Sequence, residues 1–180
     1  MKSPKLFICS DIHGSARFCS LMFDAFDRER ADALIILGDV LYHGPRNALP
    51  MEYDAPKVIA MLNERKKDII CVRGNCDSEV DQMVLEFPIM SDTSTIFVDG
   101  KKLFLTHGHK YGPQNLPPIG VCDTLLFGHT HVPTDVTVDG VRCVNPGSVS
   151  IPKGGSANSY MIYENERFIW KTLDGSIFNP

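Results

Sequence analysis

Five short segments of this chain each pair side chains able to ligate a metal ion with a tight glycine turn. In chain order they are Asp11-Ile12-His13-Gly14, Gly38-Asp39, Gly74-Asn75-Cys76-Asp77, Thr106-His107-Gly108-His109 and Gly128-His129-Thr130-His131. Most follow a run of apolar, β-prone residues, so their carboxylates, amide and imidazoles are expected at the ends of buried strands along one rim. Such a group predicts a site for two divalent metal ions, which activate water against phosphate esters.

Asp39 is the best candidate for a ligand shared by the two ions. Cations held about 3.5–4 Å apart repel each other, and a shared anionic ligand on a short, rigid turn offsets this repulsion. Asp11 and His13 are separated by one residue, so both can leave the same strand end and face one ion. His129 and His131 have the same spacing after the strand-like run that ends at residue 127.

Asn75 and His107 complete the candidate ligands with an amide oxygen and another imidazole. Oxygen and nitrogen ligands without a thiolate favour manganese, iron, nickel or zinc over calcium. Each residue taken alone has a simpler interpretation as a capping or turn residue. The metal-site interpretation depends on all five segments lying at predicted strand ends.

The composition is that of an ordinary water-soluble globular domain. The 180 residues are expected to form a single domain, 1–180, with a substantial core. Hydrophobic residues make up 43% and charged residues 22% of the chain. The formal net charge of -4 argues against stable binding to nucleic acid.

Cysteine usage predicts a reducing compartment. The chain has six cysteines, none of them in a Cys-x-x-Cys pair. Several lie in apolar strand-like runs, where a cysteine serves as a small apolar residue. The N-terminal apolar stretch is too short for a signal peptide, and no run approaches membrane-spanning length. We therefore expect a cytoplasmic protein without a membrane partner, and interpret these positions as free thiols: Cys9, Cys19, Cys71, Cys122 and Cys143.

Hydrophobic periodicity predicts alternating strands and helices in the first half. Strands are predicted at 6–9, 33–37 and 68–72. A helix is predicted after a cap at Ser15, a second from Asp54 or Pro56, and a short third from Ser78 to Val84. The proline- and glycine-containing stretch 43–53 is predicted to be a loop.

The second half is predicted to be mostly strand. Hairpins are predicted for 95–98 with 102–106, 135–138 with 141–144, and 160–163 with 168–172, the first two with Asp-Gly turns. A strand is also predicted at 125–127, and loops at 108–120 and 145–156. A βαβ half followed by antiparallel strands predicts a layered α/β sandwich with one ligand-bearing edge.

The ordered motifs Asp-x-His, Gly-Asp, Gly-Asn-x-Asp, His and Gly-His-x-His resemble the calcineurin-like metallophosphoesterase superfamily over almost the whole chain. Segments 74–82 and 145–155 are more similar still to the small bacterial YfcE-type phosphodiesterases. The resemblance implies an α/β fold, a four-layer α/β/β/α sandwich, with a dinuclear and often manganese-dependent centre. It also implies a small phosphodiester substrate and frequent homo-oligomers.

The resemblance further implies two sets of metal ligands and a mechanism. A hydroxide bridging the ions would attack phosphorus in line with the leaving alkoxide, without a covalent phosphoenzyme. The first ion would be held by Asp11, His13, Asp39 and His131, and the second by Asp39, Asn75, His107 and His129.

Cys76 departs from the commonest pattern of the superfamily. Most members have a histidine at this position, which contacts the phosphate and can protonate the leaving group while the residue equivalent to Asp77 orients it. A thiol donates weakly, so we expect Cys76 to restrict the enzyme to good leaving groups. We also expect sensitivity to thiol oxidation if a metal or Arg73 lowers the thiol pKa. The alternative is that Cys76 only fills space.

Several further polar residues are weaker candidates. His43, Arg46 and Asn47 follow Asp39 on a loop and are candidate substrate contacts, or else shape the loop. His109 is expected near the ligands rather than among them, and Lys153 is more simply interpreted as an exposed lysine. In the resembling family, 145–148 packs beneath the site. An exposed Phe178 and the second hairpin edge are candidates for self-association.

Three alternative functions are compatible with these motifs. A phosphomonoesterase would use the same site. A eukaryotic retromer subunit with this fold serves as a non-catalytic interaction scaffold with a degraded metal site, whereas every ligand position here is filled by a competent residue. A nuclease is disfavoured by the acidic balance of the chain.

Overall fold

The computed structural model describes residues 3–118 and 123–180. The helices are α1 (Ala16–Glu29), α2 (Ala55–Glu64) and α3 (Glu79–Val84). The strands of the first half are β1 (Leu6–Cys9), β2 (Ala33–Ile36), β3 (Ile69–Cys71), β4 (Thr93–Val98) and β5 (Lys101–Thr106). Those of the second half are β6 (Thr124–Leu126), β7 (Thr134–Val138), β8 (Val141–Asn145), β9 (Ser159–Glu164), β10 (Arg167–Thr172) and β11 (Ile177–Phe178).

The three helices begin at the predicted caps. The Ser15 side chain accepts a hydrogen bond from the backbone N–H of Phe18, which satisfies one of the free donors at the start of α1. Asp54 caps α2 in the same way. Ser78 and Asp81 form a reciprocal capping box at α3, as their spacing predicts.

Two mixed sheets form the body of the protein. The first has the strand order β11-β10-β9-β1-β2-β3, with β1, β2 and β3 parallel and β9 antiparallel to β1. The second has the order β4-β5-β6-β8-β7. The prediction of antiparallel strands in the second half is wrong for β6, which is parallel to both β5 and β8. Since β5 and β6 both lead into site segments, they must run in the same direction to deliver their ligands to one rim.

The predicted hairpins are confirmed, and their turns have the expected backbone. Asp99 and Gly100 have φ values of 50° and 72°, and Asp139 and Gly140 have values of 49° and 81°. Two successive positive φ angles match the right-handed twist of the flanking strands. Strand β11 was not predicted; it pairs with β10, and its Phe178 packs partly buried against the core.

Apolar side chains on both faces of the first sheet establish the layers. Phe7 and Leu34 face α1 and α2, while Ile8 and Ile35 face the second sheet. The outer face of the second sheet carries a third cluster, against which Tyr111 and Leu116 of segment 108–118 pack. The predicted α/β sandwich is thus confirmed.

No helix in the described ranges is long and apolar enough to cross a membrane.

Candidate metal centre

The five site segments meet at one edge of the sandwich because each follows the carboxyl end of a strand. Strands β1, β2 and β3 of the first sheet lead to the first three segments, and β5 and β6 of the second sheet lead to the other two. Ligands outside the carboxyl ends of strands follow the general rule for open α/β sheets. The candidate metal ligands that are less than 4% exposed are Asp11, His13, Asp39, His107 and His131.

The backbone turns sharply at most of the candidate ligands. Five of them have φ values between 49° and 65°, in the left-handed region. This conformation costs a non-glycine residue roughly 1–3 kcal/mol and persists where surrounding contacts impose it. Those contacts include hydrogen bonds from the Asp11 N–H to Gly38 O and from the His13 N–H to Asp39 O. The five residues are Asp11, His13, Asp39, His129 and His131.

Three of the histidines are oriented by backbone carbonyls. The Nδ1 atoms of His13, His107 and His131 lie 2.7, 2.7 and 2.6 Å from the carbonyl oxygens of Tyr42, Leu37 and Ile151. A carbonyl oxygen only accepts, so each Nδ1 donates and Nε2 is left with its lone pair in the neutral ring. This is how proteins prepare histidine for metal ligation.

The free Nε2 atoms converge with carboxylate oxygens in a first group. His13 Nε2 lies 3.4 Å from His131 Nε2 and 3.6 Å from Asp11 Oδ1. His131 Nε2 lies 3.3 Å from the same oxygen. Ligands bound about 2.0–2.2 Å from one ion lie roughly 3–3.5 Å apart, so these atoms can surround a single cation. Asp39 Oδ2 lies 3.7 Å from His13 Nε2 and borders this group.

A second group forms on the other side of Asp39. The same Asp39 Oδ2 lies 3.4 Å from His107 Nε2, which in turn lies 3.1 Å from Asn75 Oδ1. The His129 ring lies 5.1 Å from the His107 ring. Asp39 therefore lies between the two groups. Asp11 also approaches the second one, since Asp11, Asp39 and His107 offer ligand atoms within 4.8 Å of one another.

An orphaned oxygen shows that this donor set suits a cation. Asp11 Oδ1 is buried and finds no hydrogen-bond donor in the described part of the chain, although such an atom is costly to bury. Asp11 Oδ2 accepts the backbone N–H of His129 at 3.1 Å, which fixes the carboxylate. The orphaned oxygen faces the two imidazole nitrogens of the first group. Buried carboxylates and imidazoles are ligands of transition-metal ions.

The electrostatics of the site agree with cation binding. Burial would lower the pKa of His107, but Asp39 and Asp11 more than offset it and raise the pKa to about 9. Burial would raise the pKa of Asp39, but His107 holds it well below its usual range. For His129 and His131 burial prevails and lowers the pKa. The carboxylate of Asp39 is therefore ionised in the neutral pH range.

Asp77 fixes the backbone beside Asp39. Its two carboxylate oxygens accept the backbone N–H groups of Asp39, Val40 and Gly74 at 2.9, 2.8 and 2.7 Å. Asp77 is 3% exposed, and within the described residues these bonds link its carboxylate to the site. The geometry therefore gives Asp77 a positioning role. The family resemblance implied that Asp77 orients a histidine at position 76, but this chain has a cysteine there.

Sequence reasoning did not identify the groups that hold the Asp11 turn. The hydroxyls of Ser148 and Ser150 both donate to the carbonyl oxygen of Asp11, at 2.9 and 3.0 Å. Asn145 Nδ2 donates to Gly128 O at 2.8 Å and so holds the neighbouring turn. The motif 145–150 thus braces two ligand segments from below. Its only sequence signal was the similarity to the family.

A pocket of about 290 Å³ opens directly onto the site. Its walls include two exposed cations, Arg46 and Lys153, together with Asn47 and Cys76. His43 is placed elsewhere, with its ring against Tyr42 and Tyr53. Of the three predicted loop contacts, Arg46 and Asn47 therefore reach the pocket and His43 does not line it.

Cys76 carries a neutral thiol. Burial, together with the nearby Asp39, raises its pKa to about 12. Arg73 does not counter this effect, because its guanidinium contacts the Asp77 carbonyl at 3.3 Å and Glu79 at 3.6 Å. Arg73 therefore does not lower the pKa of the Cys76 thiol, and it does not activate the thiol toward oxidation.

The exposed His109 lies beside two candidate ligands. Its ring centroid is 5.5 Å from that of His107 and 6.3 Å from that of His129.

Comparison with known proteins identifies the family. Residues 5–167 match the family model of the calcineurin-like phosphoesterase superfamily domain. This chain belongs to the calcineurin-like phosphoesterase superfamily. Within that superfamily, phosphodiesterase YfcE of Escherichia coli (strain K12) is 50% identical over 162 residues, which cover 90% of this chain and 88% of YfcE. The solved structure of E. coli YfcE, described as a phosphoesterase, has a TM-score of 0.93 at 48% identity, with 97% of each chain covered.

A protein with a more distant sequence shares the fold. Vps29 of Entamoeba histolytica, solved in complex with zinc, has a TM-score of 0.61 at 21% identity, with 97% of this chain and 96% of Vps29 covered. At that identity the likeness shows the fold alone. The predicted family and its fold are confirmed.

Proposed function

We propose that this protein is a metal-dependent phosphodiesterase that hydrolyses small phosphodiesters at a dinuclear centre. The enzyme class is supported by membership of the superfamily and by the 50% identity to a phosphodiesterase. The observation that carries the metal-dependent mechanism is the convergence of two ligand groups on either side of Asp39. Backbone carbonyls hold the Nδ1 atoms of His13 and His107 so that their Nε2 atoms face Asp39.

The residues proposed to hold the ions are those that the family resemblance implies, and the distances support this assignment. Asp11, His13, Asp39 and His131 would hold the first ion, and Asp39, Asn75, His107 and His129 the second. Bound divalent ions would supply positive charge to phosphate oxygens and acidify water. Manganese suits this nitrogen and oxygen set, as do zinc, iron and nickel.

The chain's own residues bind and orient the substrate beside that position. Arg46 and Lys153 bring two positive charges to the pocket, where they can bind non-bridging phosphate oxygens. The Cys76 backbone N–H donates to Asp39 Oδ1 at 2.8 Å and holds that carboxylate. The whole chain, 1–180, would act as a single catalytic domain. Among the described residues, the free thiols at Cys9, Cys19, Cys71 and Cys76 support a reducing, cytoplasmic location. The predicted free thiol Cys122 lies outside the described residues, and the same prediction for Cys143 stays a prediction.

A comparison of mono- and diester hydrolysis tests this function. We expect manganese-loaded protein to hydrolyse bis(p-nitrophenyl) phosphate with a higher kcat/KM than p-nitrophenyl phosphate, and chelation to abolish both activities. The reverse order would make the protein a phosphomonoesterase. Absence of hydrolysis of either ester by the loaded protein would favour the non-catalytic scaffold.

Manganese affinity should rise with pH. In the metal-free protein His107, with a pKa of about 9, is protonated at neutral pH, and a ligating imidazole must be neutral. Binding therefore releases a proton, and affinity should increase about tenfold per pH unit for each proton released between pH 6.5 and 8.5. Calorimetry in buffers of different ionisation enthalpy counts these protons, and a count of zero would contradict the assignment of His107.

The same pKa predicts how the metal-free protein responds to pH. A group whose folded pKa is raised above its ordinary value of about 6.5 contributes stability that is complete below that value and is lost as the pH rises toward the folded pKa. The contribution of His107 should therefore decline between pH 6.5 and 9. Urea unfolding of chelated protein across this range measures it.

Replacing Cys76 by histidine should extend the enzyme to poorer leaving groups. A positioned imidazole can protonate a departing alkoxide, an effect of about 10²-fold or more in enzymes, whereas a thiol with a pKa of about 12 is a weak donor. We expect log kcat/KM to depend less steeply on leaving-group pKa in Cys76→His than in the natural protein. Cys76→Ser controls for loss of the thiol, and an unchanged slope in Cys76→His would show that position 76 only fills space.

A further inference from the structure

A second and larger pocket adjoins the metal centre across the ring of His129. Its volume is about 560 Å³, against about 290 Å³ for the pocket over the ligands, and His129 lines both. One wall is segment 108–115, and the other runs from Phe127 along the start of β7. A phosphorus atom bound at the centre would therefore lie beside the mouth of this pocket.

The wall formed by segment 108–115 is internally braced. Gly112 and Asn115 exchange backbone hydrogen bonds of 3.1 and 3.0 Å, and Asn115 Nδ2 donates to Lys110 O at 2.7 Å. Gly108 packs so closely on the opposite strand end that an added Cβ would lie 3.1 Å from the carbonyl oxygen of Gly128. The segment is thus a hydrogen-bonded loop that closes one side of the pocket.

The described residues that line this second pocket favour an uncharged, flat or apolar group. The side chains of Pro113, Phe127, Val132 and Val136 present carbon atoms to the space, and His129 adds an imidazole ring. No carboxylate lines it within residues 3–118 and 123–180. The positive charge of Lys110 is paired with Asp92 at 2.6 Å, so this wall is a poor site for a second anion. Apolar walls with a few polar groups at the rim are typical of sites for organic ligands.

We propose that this pocket binds one of the two organic substituents of the phosphodiester, and that it favours an aromatic group. The inference deepens the proposed function and rests on it. The two organic substituents of a diester are bonded to the same phosphorus atom and point in different directions. One of them must therefore point away from the small cationic pocket. The space of about 560 Å³ across His129 can hold a ring system, and an aromatic group there gains from burial against Val132 and Val136.

Binding of two phosphonates to manganese-loaded protein tests the proposal. Methylphosphonate and 2-naphthylmethylphosphonate carry the same anionic head group, so the ratio of their Kd values reports the organic group alone. We expect the naphthyl compound to bind at least tenfold more tightly by calorimetry. Equal affinities in the natural protein would overturn the assignment of this pocket.

Two neighbouring substitutions on β7 locate the effect. Val136 lines the pocket and is 40% exposed, so Val136→Glu places a charge at the wall without disturbing the core. Thr137 is also exposed, and it lies on the opposite face of the strand because side chains alternate. We expect Val136→Glu to reduce the Kd ratio to less than threefold and Thr137→Glu to leave it unchanged.

The outcomes separate this inference from the function on which it depends. An unaltered ratio in Val136→Glu would overturn the pocket while leaving the metal site intact. Failure of both phosphonates to bind the loaded natural protein would overturn the proposed function, and the pocket assignment with it. Tighter binding of the naphthyl compound, lost only in Val136→Glu, would establish the pocket as the site of the substituent.

Discussion

Replacing Asp39 by asparagine should lower kcat/KM for a diester substrate by about 10³-fold or more, which corresponds to about 4 kcal/mol of transition-state stabilisation. Asp39 Oδ2 is the atom between the two ligand groups, 3.7 Å from His13 Nε2 and 3.4 Å from His107 Nε2. An amide has nearly the same shape but no charge, so it cannot offset the repulsion between two cations. Steady-state kinetics of manganese-loaded Asp39→Asn measure the loss.

The number of metal ions bound per chain and the pKa of His107 distinguish loss of the Asp39 charge from a folding defect. The loaded variant should retain fewer ions per chain than the natural protein. In the metal-free variant the pKa of His107 should fall from about 9, because Asp39 is a principal group that raises it. Asp27→Asn is a matched control, since Asp27 pairs with Arg65 on an exposed surface. Full metal content with activity within tenfold of the natural protein would remove Asp39 from the bridging position.

The first half of the fold could be predicted from sequence because its signals are local. The helix caps at Ser15, Asp54 and Ser78 each place a side-chain acceptor before an apolar helical repeat, and all three are present. Two hairpins of the second half could be predicted for the same reason, because each has a local Asp-Gly turn. Local chemistry of this kind does not depend on which strands later become neighbours.

Strand neighbours could not be predicted in the same way. Strand β9 lies beside β1, although more than 140 residues separate them in the chain, and no local signal specifies that pairing. The parallel pairing of β5 with β6 depends on a long connection between them. Its direction was nevertheless implicit in the requirement that His107 and His129 reach one rim.

The candidate ligands could be identified by type and order, but their geometry could not. A turn that delivers Asp or His in the left-handed conformation leaves little trace in sequence, although Asp and His tolerate it better than β-branched residues do. The hydrogen bonds that orient the imidazoles come from carbonyl oxygens, such as that of Tyr42, which any residue would supply. For the same reason Asp77 could be identified as part of the site, whereas its three backbone bonds became visible only in the structure.

Replacing Gly74 by alanine should displace Asp39 and destabilise the protein by about 2 kcal/mol or more. A Cβ at Gly74 would lie 2.1 Å from Asp39 Oδ1 and 2.3 Å from the backbone nitrogen of Asp39. Neither atom can move freely, because Oδ1 accepts the Cys76 N–H and the backbone nitrogen donates to Asp77. The backbone of Gly38 packs closely on that of Gly74, because a Cβ added to Gly38 would lie 2.5 Å from the backbone nitrogen of Gly74.

Because the collision falls on the carboxylate that we propose bridges the two ions, Gly74→Ala should weaken manganese binding about 10²-fold as well as lower the urea midpoint. Gly112→Ala is the matched control. Its Cβ would meet the carbonyl oxygen of Gly108 at an ordinary 3.5 Å, and, like Gly74, its backbone lies outside the positive-φ region. We expect that variant to keep the stability and metal affinity of the natural protein. If Gly74→Ala also kept both, the close packing of the Gly38 and Gly74 backbones could not be what positions Asp39, and the hydrogen bonds of Asp77 would have to position it alone.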